Sequence, residues 1–122
     1  MANQCSNSIR RSIDINNVVS SISSSDTPGS PQNLAKSWLL NNDTATNACH
    51  GTNQILQRFS LAVFFYSTLG SNWFNNNFWL GQKGECEWHG VICTNGTVTS
   101  LELGTFDYIF PLFLCLSGQI SK

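Results

Sequence analysis

The sequence predicts a small α+β unit in which two helices and an aromatic loop precede a β-hairpin. Three observations carry that expectation. Apolar residues recur at helical spacing over Leu34–Leu39 and again over Ile55–Tyr66. A loop between them and the hairpin holds Trp73, Phe74, Phe78, Trp79 and Leu80. Asn95-Gly96 then stands between two short apolar-alternating runs. A chain of 122 residues allows one small domain.

The elements follow in order. Residues 1–29 end in SSISSSDTPG and read as a flexible tail and linker, with nascent helix at most around Ile9, Ile13, Val18, Val19 and Ile22. Ser30-Pro31 opens the first helix, with serine as N-cap and proline at the first helical position. Leu34, Ala35, Trp38 and Leu39 share one face of it, and Asn41-Asn42-Asp43 stops it. Thr44–Gly51 connects to a second helix over Thr52–Leu69. There Ile55, Leu56, Phe59, Ala62, Val63 and Tyr66 form a stripe that Phe65 widens, and Gly70 follows as a natural C′ residue.

The loop SNWFNNNFWLGQKGE has no period, and aromatics at that density are expected to tuck against the helices. Trp88, Gly90 and Ile92 then alternate with His89, Val91 and Cys93. Asn95-Gly96 is a strong hairpin signal, and Val98–Leu103 reads as the returning strand. His89 reads as a solvent-side residue, and Glu85 and Glu87 as solubilising charges beside a turn.

Composition narrows the function classes. Charged residues are 11% of the chain, against roughly 25% in ordinary soluble domains, and the net charge is −1. With no basic cluster beyond Arg10-Arg11, nucleic acid has no electrostatic footprint to meet. Phe59–Leu69 is too short and too interrupted for a membrane span, and Leu103–Leu116 carries Asp107 and Pro111. The N-terminus lacks the apolar run of a signal peptide. Five cysteines (Cys5, Cys49, Cys86, Cys93 and Cys115) leave an odd thiol in a monomer. The close cysteine pair, the low charge and two N-x-Thr sequons at Asn42 and Asn95 lean toward an oxidising, secretory setting. Asn95 is read first as the φ > 0 residue of the turn and second as a glycosylation acceptor.

Val98-x-x-Leu101-x-Leu103 follows the strand half of the leucine-rich-repeat rule L-x-x-L-x-L-x-x-N-x-L. Leu116-Ser117-Gly118-Gln119-Ile120 resembles the L-S-G-x-I segment of the plant-type repeat. Cys86-Glu87-Trp88-His89-Gly90-Val91-Ile92-Cys93 resembles the C-x-W-x-G-V-x-C signature of the plant-type leucine-rich-repeat N-terminal cap. Ser30–Leu103, about sixty per cent of the chain, is similar to the cap region of the leucine-rich-repeat receptor-like proteins of diatoms and related algae.

That resemblance implies a fold and a role. Residues 30–97 would be the cap and residues 98–122 a first, irregular or truncated repeat of an α/β solenoid. Cys86 and Cys93 would form a disulfide, and Trp88 would pack between the cap helices and the sheet. Trp38, Phe59, Tyr66, Trp73 and Trp79 would share that packing. The family role is non-enzymatic. A cap covers the end of a solenoid whose later repeats bind protein, peptide or glycan at the cell surface. No cofactor, metal or catalytic residue is implied, and the location expected of the whole protein is extracellular.

Two departures stand out. The asparagine position of the repeat holds Phe106, followed by Asp107, and about eight extra residues within Thr105–Cys115 precede the L-S-G-x-I segment. The sequence also runs out at Lys122 after barely one repeat, whereas about three are needed for a stable solenoid, so a fragment or truncated gene product is expected. The alternative from another class is a small zinc or thiol-redox module using Cys49, Cys86, His89 and Cys93, with His50 also in reach as a ligand.

Overall fold

The computed structural model describes residues 8–20, 27–43, 52–103 and 106–109. Three helices and an antiparallel β-hairpin make up a small α+β unit: α1 (Ser8–Ser20), α2 (Pro31–Asn41), α3 (Thr52–Ser67), β1 (Val91–Thr94) and β2 (Thr97–Leu103). A further strand, β3 (Phe106–Ile109), pairs with β2, which gives the sheet order β1-β2-β3. Single-turn 3₁₀ helices lie at Gly70–Asn72 and Glu85–Glu87. The connector Thr44–Gly51 and the linker at 21–26 lie outside the described residues. So do the segment Phe110–Cys115, the Leu116–Ile120 motif, and Cys5, Cys49 and Cys115.

Helix α2 begins as its sequence predicts. Ser30 has extended backbone, its hydroxyl accepts the Asn33 N–H at 3.0 Å, and Pro31 takes the first turn, where its missing donor costs nothing. At the other end the Asn42 and Asp43 N–H groups both donate to the Trp38 carbonyl at 2.9 Å. Ala35, Trp38 and Leu39 are buried, while Leu34, expected on the same face, is 39% exposed.

Helix α3 is the centre of the molecule. A one-sided stripe was the expectation, but every residue from Gln57 to Phe64 is buried, together with Ile55. An all-round buried helix needs neighbours on all sides. Helices α1 and α2 pack on it, and the loop and sheet contribute to the same apolar cluster. Its C-terminus departs from expectation as well. The left-handed residue is Leu69 (φ 56), not Gly70. Gly70 is needed for space instead, because a Cβ there would run into the Phe65 ring.

The N-terminal segment is helical over Ser8–Ser20, within the stretch 1–29 read from the sequence as tail and linker. It forms a 13-residue helix that packs on α2 and α3, with Ile15 and Val19 fully buried and Ile13 left outside. Ile15 and Val19 stand at i, i+4 on one face, and Val18 packs partly against the same cluster.

The hairpin turn has φ 53 at Asn95 and φ 82 at Gly96, the two positive angles a type I′ turn requires. Strand β1 pairs Val91 with Leu101 and Thr94 with Thr97, with a register shift between Ile92 and Cys93. Val91, Val98 and Leu101 face the core, and Ile92 faces solvent. The expected alternation put Ile92 on the side of Trp88. Gly90, at φ 81, resets the phase, so Trp88 and Val91 are both buried. A Cβ at Gly90 would also lie 2.5 Å from the Glu102 carbonyl oxygen. After Leu103, β3 returns antiparallel, and the described residues contain no repeat turn.

Candidate functional site

The most polar place in the core is built around Arg58, in the middle of α3 and 2% exposed. Its Nε and Nη2 donate to the two carboxylate oxygens of Asp43 at 3.0 and 2.8 Å. Nη1 donates to Glu85 Oε1 at 3.1 Å and to the Lys83 carbonyl at 3.2 Å, and Nη2 reaches the Gly81 carbonyl at 3.4 Å. All five guanidinium donors are therefore used, in the planar fork geometry that suits arginine and not lysine. The two indole faces are close too. The guanidinium carbon stands 5.3 Å from the Trp38 ring centre and 5.0 Å from that of Trp88.

The other carboxylate oxygen of Glu85 accepts from Gln54 Nε2 at 2.9 Å and Gln57 Nε2 at 2.6 Å. Gln57 also grips the hairpin. Its Nε2 donates to the Gly96 carbonyl at 3.0 Å, and its Oε1 accepts the Val98 N–H at 2.7 Å. One helix face thus ties the end of α2, the turn at Glu85–Glu87 and the hairpin into one polar network. Glu85 is 2% exposed, which overturns its reading as a solubilising charge. Glu87 is exposed and 3.7 Å from Lys83.

Cys86 and Cys93 form a disulfide (S–S 2.01 Å, Cα–Cα 5.7 Å) that staples the Glu85–Glu87 turn to β1. Both sulfurs are bonded to each other, so neither is a thiolate ligand. Cys49 and His50, the other thiol and imidazole of the zinc and redox alternative, lie outside the described residues. His89 is half-buried, and its backbone bonds Asn77 and Trp79. Among the described residues no three potential metal ligands gather.

The four tryptophans form a continuous band. Trp38 meets Trp88 edge-on at 6.0 Å, Trp88 meets Trp79 at 5.1 Å, and Trp79 meets Trp73 at 4.8 Å. Each indole N–H donates to a backbone carbonyl: Trp38 to Leu80, Trp73 to Thr68, Trp79 to His89 and Trp88 to Lys83. Irregular loop backbone is thereby satisfied and tucked beneath the rings. Phe59 is fully buried, and Tyr66 lies half-buried against Phe65, where burial pushes its phenol above the usual 10.0. The tuck is incomplete: Phe74 is fully exposed and Phe78 53% exposed, the latter at a φ of 72 that turns it outward under Lys83.

Sequence reasoning named the aromatic members and the cysteine pair but missed Arg58, Asp43, Glu85 and Gln57. One signal was present. In a chain with 11% charged residues, an arginine amid the apolar run ILQRFSLAVFF is an exception that calls for a partner. Asn42 and Asn95 are both exposed. No helix among the described residues is long and apolar enough to cross a membrane. Comparison with protein-family models, curated proteins and solved structures finds no match to the chain.

Proposed function

We propose that the chain is the N-terminal cap of a leucine-rich-repeat recognition protein and acts by covering, not by catalysis. One observation carries this reading. The Cys86–Cys93 bond closes a turn whose Trp88 is buried against Trp38 and Trp79, and the strand that follows turns Val98 and Leu101 into the same core. A solenoid end needs such a unit, because its terminal repeat otherwise exposes an apolar face. Ligand choice, whether protein, peptide or glycan, belongs to repeats beyond the cap at the cell surface, with Asn42 and Asn95 as the glycosylation candidates. The oxidised cysteine pair supports an extracellular setting.

The test is the full-length transcript. In-frame L-x-x-L-x-L-x-x-N units after Leu103, with the TFDYIFPLFLC stretch removed, are the expected result. A stop after Lys122 with that stretch retained sinks the proposal.

A further inference from the structure

We infer that Asn95-Gly96 is a self-modification site, at which the chain converts Asn95 to an isoaspartyl residue through a cyclic imide and so loosens the hairpin from α3. The inference rests on the turn and stands whether or not the chain caps a solenoid. Asn95-Gly96 is the one Asn-Gly step in the sequence. Both residues are exposed, and a Cβ added to Gly96 would meet nothing within 4 Å, so the approach to its nitrogen is open. Among the described residues neither the Asn95 side chain nor the Gly96 N–H has a hydrogen-bond partner. Other asparagines differ in one respect or the other. Asn16, Asn33, Asn41, Asn75 and Asn76 engage their side-chain amides in hydrogen bonds close by in the chain. Asn42, Asn72 and Asn77 precede Asp43, Trp73 and Phe78, whose side chains crowd the nitrogen that would have to attack.

The step is an intramolecular acyl substitution, favoured because both reacting groups belong to adjacent residues. Hydroxide removes the Gly96 N–H proton, the nitrogen bonds to Asn95 Cγ, and the Cγ–Nδ2 bond breaks with Nδ2 leaving as ammonia. Water then opens the imide. Addition at Cγ gives an ordinary aspartyl residue. Addition at the main-chain carbonyl of residue 95 gives the isoaspartyl form, with the main chain routed through Cβ and Cγ. Either product carries a new carboxylate at the turn. The isoaspartyl form also adds a carbon to the main chain of a two-residue type I′ turn, the element that sets the register of β1 on β2. That turn is tied to α3. The Gly96 carbonyl accepts Gln57 Nε2 at 3.0 Å, and the Val98 N–H donates to Gln57 Oε1 at 2.7 Å. Lengthening the turn displaces the Gly96 carbonyl and strains both bonds. A glycan on the Asn95-Gly96-Thr97 sequon would occupy the nitrogen that leaves, so a given copy of the chain takes one fate or the other.

The experiment ages the full 122-residue chain, made in a host that does not glycosylate, in mildly alkaline buffer. Peptide mapping by mass spectrometry, with fragmentation that separates aspartyl from isoaspartyl, follows each asparagine. Asn95 is expected to convert at least about tenfold faster than Asn42, Asn72 or Asn77, mainly to the isoaspartyl form and faster as pH rises. Asn95→Gly, which keeps a Gly-Gly turn, should release correspondingly less ammonia. Amide hydrogen exchange on the separated isoaspartyl fraction reads the consequence. Exchange at Val98 should speed by at least about tenfold, with the helical amides of α2 unchanged. Conversion of Asn95 no faster than that of the other three asparagines overturns the site. So does an Asn95 that survives in the folded chain while the same chain in urea converts, because the turn then protects it. Unchanged Val98 exchange in the isoaspartyl fraction overturns the loosening from α3.

Discussion

At the residue scale the molecule depends on Arg58. One cation is held by two buried carboxylates, two indole faces and two backbone carbonyls, a set drawn from positions 38, 43, 81, 83, 85 and 88. Burying three charges is expensive, and the cluster persists because every guanidinium donor is met. Removing the arginine strands Asp43 and Glu85 in the core. Arg58→Met is therefore expected to destabilise by about 3–5 kcal/mol, read as a fall in the urea midpoint with unchanged slope. Adding Asp43→Asn and Glu85→Gln to that variant should restore part of the loss, because the carboxylates are then neutral. An Arg58→Met midpoint within error of the wild type would show that the cluster is not coupled to folding.

Gly70 works at the same scale by sterics. Its missing side chain makes room for Phe65, which is stacked on Trp79 and edge-on to Trp73. The ring cannot swing aside without disturbing both indoles. Gly70→Ala should cost about 1–3 kcal/mol and change the near-ultraviolet circular dichroism of the tryptophans. A wild-type spectrum in that variant would contradict the close packing. The expected role of Gly70 as a left-handed helix stop was a local inference, and the actual constraint comes from a ring five residues earlier in the chain.

At the scale of elements, the disulfide matters for what it holds. Cys86 and Cys93 are seven residues apart, so the closed loop is short and its entropic contribution is about 2 kcal/mol. The turn it secures also carries Glu85 to Arg58 and Gln57. Replacing both cysteines by alanine is expected to lower stability by at least that about 2 kcal/mol, measured by thermal or urea denaturation. If the bond acts only on the unfolded chain, the loss stays near this value and the indole signals do not change. A larger loss with altered tryptophan fluorescence would place the Arg58 cluster under the control of the bond. The hairpin itself was legible from Asn95-Gly96, since a type I′ turn is specified by two adjacent residues. Its facing was not, because Gly90 shifts the phase between Trp88 and Val91.

At the scale of the whole molecule, α1 turns a two-helix unit into a three-helix one. Its buried pair, Ile15 and Val19, joins the core formed by α2 and α3. Ile15→Ala should destabilise by about 2–4 kcal/mol if α1 unfolds together with the rest. Limited proteolysis distinguishes the alternatives. Cooperative folding predicts faster cleavage throughout the chain, whereas an independently docked α1 predicts cleavage confined to residues 8–20 with the remainder intact. No change in either measurement would return the segment to the status of a tail.

The sequence by itself determined the local events: the Ser30-Pro31 helix start, the stop at Asn41–Asp43 and the type I′ turn. Each is decided by residues a few positions apart, through caps, φ preferences and periodicity. The tertiary structure alone decided which charges went inside and which aromatics stayed out. Arg58 is tolerable in the core only because Asp43 and Glu85, 15 and 27 residues away, arrive beside it. Phe74 is exposed although its loop neighbours Trp73 and Trp79 pack edge-on against each other. Burial is a property of partners brought together by folding, and no window along the chain contains those partners at once.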